Sequence, residues 1–338
     1  MDRVQTFLPF PDFVRSAEVL DSPRLGKQRV ETLQVLRALE LPEYGWANHP
    51  AVRMWRGRTP ALVLYGLTMV RAWKDRGHAD STDVLIGEFA PQVQDATQQD
   101  LDALGLLPAW LGDDRVHLSH RSALVRKDPA HYRPLLGDDV PDDLPYFWPD
   151  PDPGPVEGGP VTRHLWVVRP PTPGWRELFL VGGFVALGGQ SGIARDVGAV
   201  DRSRLRELLA ETTPRRRPGK DLRQLEAFVH EMAPGDLVAV PVEGGRSLVV
   251  GEVASGYRFA PGSDPGGTTA SGDPWLPHVR RVDWRDTVPR AAVRPPATLQ
   301  DPRTLFRVHL AEAPAGVRPP SVDLSDLARP SDLAARTG

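Results

Sequence analysis

Apolar positions recur at helical spacing through the first half of the chain and in strand-like runs through much of the second. Between Ser16 and Leu39 they fall at Val19, Leu20, Leu25, Val30, Leu33, Val35 and Leu36, broadly the rhythm of a helix with one buried face. Pro23 suits the first turn of a new helix, and Ser22 before it suits the cap. The stretch PALVLYGLTMVRAW, from Pro60 to Trp73, predicts a helix buried on most sides. Further helices are expected over about 84–104 and 115–126. Residues 1–148 therefore predict a helical domain that ends at DDVPDDLPYFWP.

Residues 149–160, PDPDPGPVEGGP, have the composition of a semi-stiff linker. Beyond them the pattern changes. LWVVRP predicts a strand, and LFLVGGFVALGG one or two more. Short helices are expected from Arg202 to Ala210 and from Asp221 to Glu231. PGDLVAVPV and SLVVGEVASGYRF, split by the turn EGGR, read as a hairpin, and HVRRVDW as the last strand. Residues 161–310 thus predict a small α+β or barrel-like domain. Residues 311–338 are a Pro/Ala-rich tail.

Composition removes several chemistries. The 338 residues include no cysteine, which excludes disulfides, thiolate nucleophiles and thiolate metal sites. No apolar run reaches the ~20 residues of a membrane span, and the first residues lack the plan of a secretory signal. A cytoplasmic protein without membrane partners is expected. The formal charge is only −3, but its distribution is uneven. Residues 20–76 hold ten basic and five acidic side chains, and residues 115–133 five basic and one acidic. A basic face on a neutral body suits a polyanion. Solvated arginine-rich helix faces are the plainer reading. Only four lysines, Lys27, Lys74, Lys127 and Lys220, are available to any chemistry that needs a side-chain amine.

Three stretches concentrate candidate chemistry. In LDSPRLGKQRVETLQ, Arg24, Lys27 and Gln28 share a helix face able to hold adjacent phosphates, with Arg29 beside them. Asp21 stands at the helix entry, as an acid or as a cap. In YGWANHPAVRMWRG, His49, Arg53 and Arg56 alternate with Trp46 and Trp55, a pattern for holding phosphate and stacking a base, unless the tryptophans are core. In WLGDDRVHLSHRSALVRKDPAHY, His117, His120 and Arg121 cluster, followed by Arg126 and Lys127. The spacing there matches no metal-ligand motif; a phosphate-contact and acid/base cluster is expected, with no metal and no cofactor.

These stretches, with QTFLPFPDF and DDLPYFWP, resemble the pyrimidine-dimer DNA glycosylase (phage endonuclease V-like) family across almost all of residues 5–148. The resemblance implies a compact helical domain that bends double-stranded DNA, flips a base and attacks the sugar C1′ with an amine, after which β-elimination nicks the strand. It implies phosphate contacts by Arg24, Lys27, Arg29, Arg121, Arg126 and Lys127. The family's amine is the one exposed by removal of the initiator methionine. Here Asp2 follows Met1, and Lys27 is the lysine candidate. The family's glutamate falls near Pro23, with Asp21 or Glu31 as nearest substitutes. The expected catalytic group is Asp21, Lys27 and His120.

GGFVALGG, RQLEAFVHEMAPGDLVAVPVEGGRSLVVGEVASGYRFAP and HVRRVDW resemble the EVE/PUA-like domain of Mrr-type restriction proteins. That resemblance implies a reader of modified bases, with Trp166, Gln190, Ser191, Arg195, Trp275 and Trp284 as candidate pocket residues. The tryptophans have barrel core as the plain alternative. The fold expected is therefore multidomain: an all-α helical glycosylase-like domain, then a small α+β PUA/EVE-like barrel. The function expected is a DNA glycosylase, with or without AP-lyase activity, directed to damaged or modified pyrimidines in anti-phage defence or repair. The alternative is a non-catalytic binder of modified DNA.

Overall fold

The computed structural model describes residues 5–41, 44–151, 163–188, 193, 195–212, 219–260 and 276–310. The chain divides into two compact units, residues 1–159 with 295–301 and residues 160–294 with 302–338.

The first unit is helical. Its elements are α1 (Phe13–Val19), α2 (Ser22–Glu40), α3 (Pro50–Arg53), α4 (Thr59–Asp75), α5 (Thr82–Gly87), α6 (Gln98–Ala103), α7 (Asp114–Lys127) and α8 (Pro129–Leu136). Helix α4 lies at the centre, with every residue from Ala61 to Val70 buried. Helix α2 packs beside it with Leu25, Leu33, Val35 and Leu36 inward, together with the polar Gln28, Glu31 and Thr32. The glycine in α2 has a packing reason: a Cβ on Gly26 would lie 3.1 Å from the Trp73 ring on α4.

Two local expectations need correction. The cap of α2 is Asp21, whose carboxylate accepts from Arg24 N at 2.8 Å, while Ser22 is already inside the helix. The single helix expected over 84–104 is two short ones. Pro91 opens a 3₁₀ turn between them, and Thr97 starts α6 with a reciprocal capping box to Asp100. A proline without an amide hydrogen and a strong new cap outweigh the continuous apolar rhythm.

Residues 295–301, expected within the second domain, belong to the helical unit. Ala297 is buried in its core. Gln300 accepts from Arg37 of α2 at 3.1 and 2.9 Å and donates to Leu85 O at 2.9 Å and Glu88 Oε2 at 2.7 Å.

The second unit contains β1 (Arg163–Val168), α9 (Pro173–Gly182), β2 (Phe184–Leu187), α10 (Arg202–Thr212), α11 (Gly219–Glu226), β3 (Leu237–Val242), β4 (Ser247–Val253), β5 (Arg258–Phe259), β6 (His278–Pro289) and β7 (Leu305–Leu310). The sheet order is β2-β6-β4-β3-β1-β7, with β5 paired to β6. The β1–β3 pair is parallel and the other described pairs are antiparallel. The expected hairpin is β3–β4. The run LFLVGG, expected as strand, is the end of α9. Thr172 caps that helix, and Gly183 closes it in the left-handed region at φ 62°. HVRRVDW begins the long β6 and is followed by one more strand, β7. A short apolar run does not separate buried strand from buried helix, and here the caps decide. Among the described residues, no helix is long and apolar enough to cross a membrane.

Candidate active site

The segment Gln5–Pro9 in the helical unit lies outside helix and strand, so its backbone groups need side chains. Phe7 N–H donates to Gln28 Oε1 at 2.8 Å, and Phe7 O accepts from the Tyr65 hydroxyl at 2.9 Å. Leu8 N–H donates to His120 Nδ1 at 2.8 Å, and Leu8 O accepts from His117 Nδ1 at 2.8 Å. Pro9 O accepts from Arg121 at 3.0 Å. The Thr6 hydroxyl accepts from Trp55 Nε1 at 3.0 Å. Trp55 is therefore core and unavailable for stacking a base.

Gln28 continues this network into α2. Its Nε2 donates to Glu31 Oε2 at 2.8 Å. Glu31 is only 7% exposed, and its other oxygen lies 3.9 Å from the ammonium of Lys27, whose side chain is 50% exposed. A buried carboxylate thus faces a solvent-reaching amine across one helical turn. Two phenols feel its charge. Tyr65 is pushed well up by burial and by Glu31. Tyr146 is pushed up to about 12, chiefly by burial, with a further contribution from Glu31. Composition and spacing do not distinguish Glu31 from any other helical glutamate; its place on the inward face of α2 does.

The expected catalytic residues separate. Asp21 is engaged as the cap of α2 and in an ion pair with Arg24. His120 is fully buried. The amide of Leu8 makes its Nδ1 an acceptor, so the neutral ring carries its proton on Nε2, which lies 3.1 Å from the Gln5 side chain. Burial holds its pKa down at about 3, with His117 adding to the effect. A ring so enclosed is a neutral clamp on the chain and does not carry protons near neutral pH. Of the three, only Lys27 reaches both solvent and a carboxylate.

The expected phosphate contacts also divide. Arg29 forms an ion pair with the buried Asp80 and lies 4.4 Å above the Trp73 ring. Burial lowers its pKa, and it belongs to the packing of α2 on α4. Arg121 is tied to Pro9 O, and Arg126 to Asp142 O and Leu144 O at 2.9 and 3.2 Å. Arg24 reaches Lys127 O at 3.4 Å as well as Asp21. Arg53, Arg56 and Lys127 are exposed. His49 caps α3 through Nδ1, which accepts from Ala51 N at 3.2 Å.

A row of rings accompanies these groups. Trp46 lies 5.6 Å from His49, His49 6.2 Å from Trp148, Trp148 5.4 Å from Tyr146, and Tyr146 5.6 Å from His120. Trp46 is 45% exposed and sits at φ 81°, an uncommon conformation for a bulky residue. It borders a cavity of about 190 Å³ with Gln34, Val35, Tyr44, Gly45 and Val52.

In the second unit, Trp166 is buried, donates to Asp236 Oδ2 at 3.0 Å and carries Arg307 at 4.0 Å over its ring. Trp284 donates to Phe179 O at 2.8 Å. Both follow the core alternative. Arg195 is exposed. Gln190, Ser191 and Trp275 lie outside the described residues. His278, within HVRRVDW, carries no sequence signal that marks it as a site residue. Its ring is fully buried beside Tyr257 and Phe259, and Nδ1 lies 2.9 Å from the Tyr257 hydroxyl. Its Nε2 makes no hydrogen bond of normal geometry among the described residues, and burial holds the ring at a pKa of about 4. Among the described residues, no group of three His, Asp or Glu side chains is placed to hold a metal ion.

Residues 4–85 match a family described as pyrimidine dimer DNA glycosylase. The match includes α1 to α4 and most of α5, and with them Lys27, Gln28 and Glu31. Residues 179–302 match a domain of unknown function. No curated protein and no solved structure matches the chain. The first match links the helical unit to enzymes that excise bases from DNA; the second names no activity.

Proposed function

We propose that the helical unit is a DNA glycosylase that flips a damaged or modified base out of double-stranded DNA and excises it, with AP-lyase activity following. The observation that carries the reading is the pairing of the buried Glu31 carboxylate with the half-exposed Lys27 amine at 3.9 Å. An amine and a carboxylate are the two groups this chemistry needs. The amine lone pair forms a bond to C1′ as the glycosidic bond breaks, and the base leaves with the electrons of the glycosidic bond and takes up a proton. The nitrogen then gives up a proton and its lone pair expels the ring oxygen, which leaves C1′ with the C–O bonding pair and takes up a proton, opening the sugar as the protonated imine. Removal of a C2′ proton then expels the 3′ phosphate. Glu31 is the group to accept and return protons at the amine and the sugar. The amine is Lys27 or the amino terminus.

Binding to DNA is supported by the exposed Arg53, Arg56 and Lys127 and by the Trp46–His49–Trp148 row, an aromatic edge of the kind on which unstacked bases rest. Asp21 and His120, held as cap and clamp, serve the site through its framework. The second unit, whose residues 160–294 and 302–310 carry twenty-one basic and fifteen acidic side chains, is read as the module that directs the enzyme to modified bases, in anti-phage defence or in repair. A non-catalytic binder is the competing reading, favoured by the structural engagement of Asp21 and His120.

The test is borohydride trapping on duplexes carrying an abasic site, a cyclobutane pyrimidine dimer or a hypermodified pyrimidine, with wild type beside Lys27→Ala, Glu31→Gln and Asp21→Asn. The expected result is a covalent adduct that Glu31→Gln abolishes and Asp21→Asn retains. Loss of the adduct in Lys27→Ala assigns that amine; its survival assigns the amino terminus. Tight, salt-sensitive binding with no adduct and no released base on any duplex leaves the binder.

A further inference from the structure

We propose that Gln28 is a positioning residue that aims the Glu31 carboxylate at the Lys27 amine and ties that aim to the anchored segment Gln5–Pro9. The inference rests on reading Glu31 and Lys27 as the reacting pair.

Gln28 is fully buried. A buried amide is costly unless its donors and acceptor find partners. Its orientation is fixed by chemistry. The Phe7 N–H at 2.8 Å needs an acceptor, so the atom facing it is Oε1. The Tyr65 hydroxyl lies 2.8 Å from the same oxygen. Nε2 is thereby turned to Glu31, 2.8 Å from Oε2, and donates to it. One Glu31 oxygen is held by this bond, and the other is left toward Lys27 at 3.9 Å.

A carboxylate is the partner this arrangement favours, because a donated N–H stabilises its charged form. Three titratable groups that face it come from three segments. Lys27 comes from its own helix, Tyr65 from α4, and Tyr146 from the segment after α8. Both tyrosines are held neutral by burial, while the Lys27 ammonium and the N–H donated by Gln28 each favour a charged carboxylate. A hydrophobic residue at 28 removes that donor. A glutamate at 28 keeps the acceptor for Phe7 but sets two carboxylates against each other, and one of them then holds a proton.

The experiment is the pH profile of single-turnover strand cleavage on an abasic duplex and on a pyrimidine-dimer duplex, using the full chain. Wild type is compared with Gln28→Glu and Gln28→Met, and each variant's melting curve is recorded. The expected result is an acid limb displaced upward by about one pH unit or more in both variants, with activity recovered at higher pH and little change in KM. A purely structural role lowers the rate at every pH and leaves the limb where it is; that outcome overturns the inference. If Gln28→Glu is unfolded at the assay temperature, Gln28→Met decides. Glu31→Gln separates the two levels. Wild-type cleavage by Glu31→Gln, or no cleavage by the wild type on either duplex, overturns the parent reading and this inference with it. An inactive Glu31→Gln beside an unmoved limb in the Gln28 variants overturns this inference alone.

Discussion

The amide of Leu8 donates to Nδ1 of His120 at 2.8 Å, 112 residues away in sequence. That bond needs the ring to stay neutral, because a protonated Nδ1 has no lone pair to accept with. Burial, with His117 adding to it, holds the ring's pKa at about 3, against 6.5 for an ordinary histidine, so the bond is kept. His278 in the other unit is held at about 4 for the same reason, burial.

The pH dependence follows in sign. Between pH 6.5 and the folded values, the unfolded chain binds a proton at each position that the folded chain does not. Stability is full above about pH 6.5 and falls as pH drops through the window to 3–4, by on the order of 3–5 kcal/mol per group. Urea unfolding from pH 7.5 to 3.5 should show this loss. His120→Gln should be less stable at pH 7 and should have a flatter pH dependence, separable from that of His278 because the two lie in different units.

Gly26→Leu should cost about 1–3 kcal/mol, since even a Cβ at this position lies 3.1 Å from the Trp73 ring and a well-packed site resists extra atoms. The loss should appear in denaturant unfolding as a lower midpoint with an unchanged slope.

Trp46 combines half exposure with φ 81°, a strain retained at functional sites more often than elsewhere. Trp46→Gly relaxes the backbone and removes the ring. Its stability should stay within about 1 kcal/mol of wild type. Affinity for an abasic or dimer-containing duplex should fall about fivefold or more, the equivalent of one lost base–aromatic stack. Fluorescence anisotropy at fixed salt measures the second effect, and unchanged affinity would remove Trp46 from the DNA-facing edge.

Gln300→Ala should destabilise the helical unit by roughly 2 kcal/mol, because four hydrogen bonds to Arg37, Leu85 and Glu88 are lost from a partly buried site. Hydrogen exchange should report the loss in α2 and α5. Equal protection in the variant would show that residues 295–301 are not needed to hold those helices.

Much of the framework is legible in the chain's own pattern. Helices α2, α4 and α7 announce themselves by long apolar periodicity, and the β3–β4 hairpin by two apolar runs around a glycine-rich turn. The segment 84–104 reads as one helix because periodicity carries across a break that Pro91 and the Thr97 cap impose. LFLVGG reads as strand because a short apolar run is the same string in a buried helix. The site is only half legible. Lys27 stands out as one of four lysines in a basic motif. Glu31 enters from sequence only as a nearby substitute for the family's glutamate, and Gln28 only as a neighbour of Lys27 on a phosphate-holding face, whereas the structure buries both.

Local order is written along the chain: most helix starts and stops, the apolar faces, and the cation-rich stretches of the first half. These depend on neighbours within a few residues, through caps, propensity and spacing. Which polar groups are reagents and which are fasteners is settled only when distant segments pack. Only Asp21 is taken up locally, by Arg24 in the first turn of its own helix. Arg29 and His120 are taken up by Asp80 and Leu8, and Gln28 is oriented toward Glu31 because Phe7 and Tyr65 hold its oxygen. Those choices hang on hydrogen bonds and burial between segments as much as 112 residues apart, where sequence spacing carries no information about distance.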